Sequence, residues 1–440
     1  MAQWTAKADP TKEFFIDMIT RDIGLDEGIF DLLDNSIDGA SRTAEAKGEA
    51  DLSGYYVNIV LKPDCFSIVD NCGGMSLLDA TDYAFHFGRK SDAPKDAKQS
   101  IGLYGIGMKR AIFKIGKSIV IQSSTEAAPE EAFEAKIDVD AWAQEPEWEF
   151  GLDRIEHPDF IGTKIVVENL KESTASEFSD DIFISNIRRG LGRYYSFFLQ
   201  DGIRIAINGV QIVQHVFGVR SSEAIAPFFN EYTDEQTGVS VKVISGLAGT
   251  PPDDAGDPNS SSVDSGDWGW YVVCNKRIVL AGDKTDKTVW GGVFPSWHSQ
   301  YNGFMGLIFF TAEDPKLLPW TTTKRQIDET LPVFRRATTV MRDATRHYVT
   351  YTNSRKANLE EAKVIEERAV VKSISEFRAV APMRLPTFSE TPRIAMGTVS
   401  YQQPRTTLDR VARQLGNSQM SLKQIGLKTF EYYVENEVGE

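Results

Sequence analysis

Asp31, Asn35 and Asp38 recur at i, i+4 and i+7, a spacing that lines three oxygen-bearing side chains along one helix face. An amide flanked by carboxylates suits Mg²⁺, which takes few protein ligands and keeps positions for water and phosphate oxygens. The plain alternative is an amphipathic helix with a solvated acidic face. Asp70 closes the apolar run Phe66 to Val69 and is followed by Asn71, Cys72, Gly73, Gly74 and Met75. A carboxylate accepts from an exocyclic amine, and paired glycines let backbone approach a planar ring; an Asp/Asn/Gly turn after a strand also stands without any ligand. Gly102, Gly105 and Gly107 form a GxxGxG loop that opens a helix with Lys109 and Arg110 in its first turn. Amides at a helix N-terminus bind phosphate oxygens once no Cβ blocks them. The spacing is neither that of a dinucleotide-binding GxGxxG loop nor that of a GxxxxGK[ST] phosphate loop. Far downstream, the run Leu318-Pro319-Trp320-Thr321-Thr322-Thr323-Lys324 sets a lysine ahead of a helical pattern, which reads either as an anion contact or as a basic helix start in solvent.

These residues need elements to position them. Ile29, Leu33 and Ile37, with Phe30 beside them, give Asp26 to Ala40 a buried helical stripe opposite the polar one. Tyr55 to Leu61 and Phe66 to Val69 read as strands joined at Pro63 and Asp64, and Ser76 reads as an N-cap. His86 to Ser100 has the composition of a mobile loop, and Gly102 to Gly107 leads into a helix that stops at Gly116. Further strands are expected over Ser118 to Gln122, Phe133 to Val139 and Lys164 to Val167, then a helix over Phe178 to Phe198. Asn208-Gly209 between two apolar runs is a hairpin signal, followed by strands at Val239 to Ile244, Gly269 to Val273 and Gly306 to Phe310. A long helix is expected over Gln326 to Tyr351, a linker over Pro382 to Pro404, and two short helices over Thr407 to Leu415 and Leu422 to Val434.

Length and charge set limits on what these parts do together. The chain has 440 residues, room for about three compact units. Its formal charge of −15 does not draw it toward nucleic acid or anionic lipid, so such contacts need local basic patches. The clusters Arg188, Arg189, Arg193 and Arg335, Arg336, Arg342, Arg346 are candidates for such patches, although solvated helix faces explain both. Three cysteines without a CxxC pair, and five scattered histidines, suggest neither a disulfide framework nor a zinc site. Met1 to Pro10 carry no signal-type apolar run, and apolar stretches such as Gly303 to Phe310 are too short to span a bilayer. The expectation is a cytoplasmic protein with no membrane role.

DLLDNSIDGA at Asp31, DNCGGM at Asp70, GLYGIGMKR at Gly102 and Gly162-Thr163 occur in this order, and the sequence resembles the GHKL ATPase superfamily. That group includes gyrase-type topoisomerases, ninety-kilodalton heat-shock chaperones, histidine kinases, and the MutL and MORC proteins, the last two being the most similar. The likeness covers roughly residues 1–175 through all four motifs, the following domain less specifically to about 350, and none of the tail. It implies an α+β protein: a Bergerat-type α/β sandwich over 1–175, an α/β transducer domain over 176–352, and a helical tail with a linker over 353–440.

The resemblance also implies roles. Asn35 would hold Mg²⁺, Asp70 would bind the adenine amine, Gly74 and Met75 would shape the base pocket, and Thr163 would support Asp70 through water. Gly102, Leu103, Tyr104, Gly105, Ile106, Gly107 and Met108 would wrap the triphosphate, with Lys109 neutralising its charge and His86 to Ser100 forming a lid. Asp31 stands where the family has a general-base glutamate, and Lys324 would reach the γ-phosphate. The shorter Asp31 side chain departs from the pattern, and so does Cys72 at a usual glycine position. The activity implied is slow, Mg²⁺-dependent ATP hydrolysis that closes a homodimer through the segment before Asp26, acting on DNA or a protein partner. The alternative is a nucleotide-gated binding switch with little turnover.

Overall fold

Alternating burial builds the scaffold of the first half of the chain. β1 (Tyr56–Lys62) buries Val57, Ile59 and Leu61, and β2 (Cys65–Asp70) buries Phe66, Ile68 and Asp70, so Asp70 shares the inward face of its strand. β3 (Gly116–Ser124), β4 (Phe133–Asp138), β5 (Asp153–Arg154), β6 (Gly162–Leu170), β7 (Arg204–Ile207) and β8 (Val210–Gln211) complete a sheet of order β5-β4-β3-β6-β2-β1-β7-β8. Its pairings are antiparallel except β1 with β7. The computed structural model describes residues 10–87, 101, 105–156, 158–253, 267–321, 323–378, 381–388 and 399–438.

The helix Leu25–Lys47 packs Ile29, Leu33 and Ile37 into the core shared with Val57, Ile59 and Ile68. It starts where Glu27 accepts a hydrogen bond from the Gly24 amide at 2.9 Å and ends at Gly48, in the left-handed region at φ 67°. The helix Gly107–Ile115 buries Met108, Ala111, Ile112 and Ile115 in the same core.

A second sheet joins β10 (Phe228–Thr233), β11 (Ser240–Leu247), β14 (Phe304–Thr311), β12 (Gly269–Cys274) and β13 (Arg277–Asp283) in that order, with β12 and β14 parallel. A small pair joins β9 (Gly218–Ser221) to β15 (Val370–Ser373). Two hairpins turn through consecutive residues at positive φ: Asn208 and Gly209 at 50° and 76°, and Asn275 and Lys276 at 45° and 66°. The second hairpin lies in a stretch where the sequence suggests only one strand, because Asn-Lys lacks the glycine that usually announces this turn.

The expected helix over Phe178 to Phe198 is three helices, Glu172–Phe178, Asp181–Tyr194 and Ser196–Gln200. Asp180 restarts the chain as an N-cap, its carboxylate accepting from the Ile182 amide at 2.8 Å. The long helix begins at Pro332, not Gln326, and runs to Arg355, since proline fits the first helical position and not the interior. Of the arginine clusters, Arg193 pairs with Asp267, Arg336 grips Asp234 at 2.6 and 2.7 Å, and Arg188 donates to the Ile207 carbonyl, so these three serve the fold.

The chain separates into two compact units, Met1–Phe388 and Ser389–Glu440. In the first, Ala381 and Arg384 bond to Phe229 and Ala226, laying the start of the proline-rich stretch against β10. The second contains the helices Arg405–Gln414 and Leu422–Tyr433, which bury Ala412 and Ile425. No helix among the described residues is long and apolar enough to cross a membrane.

The helix Leu359–Arg368 is fastened to the long helix by Glu366, which is fully buried and accepts from Arg355 at 2.7 and 3.0 Å and from Tyr351. Removing one partner of a buried pair strands the other charge. Glu366→Ala is therefore expected to lower stability by about 3 kcal/mol in urea unfolding. Lys363→Ala, on a partly exposed contact to Asp253, barely moves the midpoint.

Candidate functional site

Asp70 ends β2 on the buried face, and its carboxylate is fixed by three donors. Ser36 Oγ donates to Oδ2 at 2.6 Å, and the Cys72 and Thr163 amides donate to Oδ1 at 2.9 and 3.1 Å. A carboxylate offers roughly four acceptor positions, so one remains for a ligand donor. Burial pushes the Asp70 carboxyl up while these three donors pull it down, and the upward effect prevails. Thr163 therefore reaches Asp70 through its backbone amide, and its hydroxyl lies 3.4 Å from Ser123 Oγ. Ser123 also accepts from the Met75 amide at 2.7 Å, which ties the turn after β2 to β3.

Two glycines make this close packing possible. A Cβ on Gly74 would stand 2.2 Å from the Ser124 carbonyl oxygen, and one on Gly162 would stand 2.0 Å from the Asp70 carbonyl oxygen. Both have positive φ, 71° and 129°, so no other residue fits without moving backbone.

Across the site lies the polar side of the helix Leu25–Lys47, most of which is withdrawn from solvent. Asp31 is buried and accepts from Arg110 Nε at 2.6 Å, which joins this helix to the helix Gly107–Ile115. Asp34, 1% exposed, accepts from Lys324 Nζ at 2.7 Å, from the Tyr195 hydroxyl at 2.7 Å and from Arg277 Nε at 3.2 Å. Burial alone would raise the Asp34 carboxyl, but Lys324 and Arg277 hold it below the ordinary range. Asp38 accepts from the Ile101 amide at 2.7 Å. Asn35 is exposed, and no described residue engages its side-chain amide. Glu27 is committed to the helix start and to Arg325, whose guanidinium also pairs with Asp26 at 2.7 Å.

Gly105, Ile106 and Gly107 lead into the helix Gly107–Ile115, whose first amides are free of intrahelical partners. Met108 turns its side chain into the core, so only its backbone faces the loop. Lys109 is 2% exposed and donates to the carbonyls of Ala84, His86 and Gly105 at 2.7, 2.5 and 2.5 Å. It bridges the glycine turn to Ala84 and to His86, the first residue of the expected lid. Burial pulls its pKa down to about 7. Gly102, Leu103, Tyr104, Thr322 and all but the first two residues of His86 to Ser100 lie outside the described residues.

The structure thus brings Asp31, Asn35, Asp38, Asp70, Gly74, Met75, Gly105, Ile106, Gly107, Met108, Lys109, Thr163 and Lys324 around two helices and the inner face of one sheet. Ser36, Asp34, Arg277, Tyr195 and Ser123 belong to the same constellation and carry no signal in the sequence. Only the adjacency of Asp34 and Ser36 to Asn35 hints at them.

A buried acceptor at a strand end, a facing helix with an exposed carboxamide and a glycine-led helix N-terminus thus lie together in one α/β domain. Residues 23–165 match the family model of histidine kinase-, DNA gyrase B- and HSP90-like ATPases, and this segment is a GHKL-type ATPase domain, with ATP as the ligand such domains bind. No curated protein matches the chain.

Two measurements probe this geometry. Ser36→Ala removes the hydroxyl on Asp70 Oδ2 and is expected to weaken ATP binding by about tenfold in calorimetric titration, with Ser36→Thr close to the parent. For Lys109, the folded pKa lies below the unfolded one, so the folded state holds fewer protons between pH of about 7 and the ordinary lysine range. Its burial cost is full below that window and fades as pH rises through it. Lys109→Met is expected to flatten this rise in stability, compared by urea unfolding at pH of about 7 and about 10.

Proposed function

We propose that this chain is a Mg²⁺-dependent ATPase that converts ATP slowly to ADP and phosphate, and that bound nucleotide closes a homodimer through the segment before Asp26, as in MutL-like and MORC-like proteins. The observation that carries the reading is the Asp70 carboxylate, buried and held by Ser36, Cys72 and Thr163 with one acceptor position left for the adenine amine. Gly74 and Met75 shape the base pocket. The first amides of the helix Gly107–Ile115, with Gly102 through Met108 ahead of and within its start, receive the phosphates, and Lys109 adds a cation.

Asn35 would hold Mg²⁺ through its side-chain oxygen. The donor set fits an ion that arrives with the nucleotide. Asn35 is exposed and uncommitted, while Asp31, Asp34 and Asp38 are each already bound by protein donors. When bound, Mg²⁺ neutralises charge on the phosphates. Asp31 orients the attacking water, and Lys324 meets the γ-phosphate from the second domain. The functional division we infer is 1–175, 176–352 and 353–440, for nucleotide binding, transduction and partner contact.

A second reading is favoured by Asp31 itself. Its carboxylate is engaged by Arg110 at 2.6 Å and is one methylene shorter than glutamate, and small misplacements of a catalytic group cost large factors in rate. On that reading the protein is a nucleotide-gated switch that works through protein partners with little turnover.

A titration of ATP beside a phosphate-release assay separates the two. Release at a measurable rate supports the ATPase, and binding without release selects the switch. Asn35→Ala and Asp70→Asn are expected to abolish ATP binding, and unchanged affinity in Asp70→Asn would remove the site assignment. Asp31→Ala is expected to keep binding and lose about a hundredfold or more in release, the scale of a general base. Size-exclusion chromatography with a non-hydrolysable ATP analogue, with and without DNA, tests dimer closure and whether DNA is the client.

A further inference from the structure

Asp34 faces two cations, Lys324 and Arg277, which are 7% and 2% exposed. One carboxylate neutralises one cation, so in this buried setting the second is a standing surplus of positive charge. The two cations differ in how firmly they are held. Arg277 follows the tight turn into β13, donates to the Ile278 carbonyl at 2.9 Å and lies over the Tyr195 ring at 4.1 Å as well as bonding to Asp34. Lys324 sits in a loop at φ 55°, a left-handed conformation unfavourable for a side-chain-bearing residue, and its ammonium has Asp34 as its one hydrogen-bonded partner among the described residues. Its four-carbon stem lets the charge swing away while the backbone stays near. If the lysine leaves, Arg277 and the Tyr195 hydroxyl still satisfy Asp34.

We propose that Asp34, backed by Arg277 and Tyr195, is a holding site for the Lys324 ammonium, and that it competes for this lysine with the γ-phosphate of the nucleotide. The proposal rests on the nucleotide-binding reading and adds to it a residue that sets the preference for a triphosphate over a diphosphate. Asp34 is then a positioning residue: it touches no nucleotide and acts through Lys324. A terminal phosphate recruits the lysine only to the extent that it binds it better than Asp34 does. ADP offers no γ-phosphate and leaves the pair intact.

The test is a set of dissociation constants for ADP and a non-hydrolysable ATP analogue, measured with Mg²⁺ on the full chain and its variants. Lys324→Ala is expected to weaken the analogue by about tenfold or more, the scale for losing one member of a close charge pair, with ADP unchanged. Asp34→Asn frees the lysine and is expected to tighten the analogue several-fold, again without effect on ADP. Tyr195→Phe removes a donor from Asp34, makes it lean harder on Lys324 and is expected to weaken the analogue; it decides the matter if Asp34→Asn does not fold. Both effects should vanish in a Lys324→Ala background. An analogue-to-ADP ratio that stays at the parent value in Tyr195→Phe and Asp34→Asn overturns the holding role, as does an effect that persists without Lys324. If the parent binds neither nucleotide, the functional reading itself fails.

Discussion

A buried carboxylate at Asp34 is the constraint to which the rest of the first compact unit answers. Nothing within its own helix can neutralise it, because the residues three and four positions away are Phe30, Asp31, Ile37 and Asp38, none of them a cation. Its compensation has to come from far along the chain, and it comes as Tyr195, Arg277 and Lys324. Each of these is tied to a different piece of structure: the end of the helix Asp181–Tyr194, the start of β13, and the loop before the long helix. Leaving such a charge unpaired is costly enough that the second sheet must sit where its cations reach the site helix. The electrostatic demand of one residue therefore couples the element bearing Asn35 to the second half of the molecule.

The other half of the site depends on close backbone approach. Asp70 is useful because the strand period puts it on the inner face with Phe66 and Ile68, and because the chain returns near its carbonyl at Gly162. Three donors then fix the carboxylate before any ligand arrives, so little orientation is left to be settled on binding. The Asp34 and Asp70 arrangements meet at Asn35 and Ser36, adjacent residues on one helix turn, of which the first faces solvent and the second points at Asp70.

What was legible in the sequence was local. The Ile29, Leu33, Ile37 stripe, the strand that ends at Asp70, the Ser76 cap and the Asn208-Gly209 turn each depend on neighbours a few residues away, and each is found in the fold. Pro332 and Asp180 were equally local signals for helix boundaries, but helical periodicity ran through them and masked the break. The polar stripe misled for a different reason. A solvated acidic face is the plain alternative for the stripe of Asp31, Asn35 and Asp38, and only partners supplied from distant segments reveal that Asp31, and Asp34 beside the stripe, are buried. The Asn275-Lys276 turn hides in the same way: it adopts the backbone of the Asn-Gly turn without its glycine, so β13 and the Arg277 it carries give no warning.

Among the described residues, the cations Arg110, Lys324 and Lys109 around the site share one property, which is that each already has a protein partner. Arg110 is on Asp31, Lys324 is on Asp34, and Lys109 is on three carbonyl groups. A polyanion entering this site gains each cation only by exchange, so its net affinity is the difference between two sets of contacts and is smaller than the number of positive charges suggests. Exchange also links binding to structure. The contacts Lys109 would give up join the glycine turn to Ala84 and to His86, the first residue of the expected lid, and the contact Lys324 would give up joins the two sheets through the site helix. Since coupling of this kind is reciprocal, whatever favours the loosened arrangement elsewhere in the molecule must favour the nucleotide to the same extent. On the proposed reading, a site whose described cations are pre-engaged is weaker as a trap for phosphate and stronger as a sensor of it.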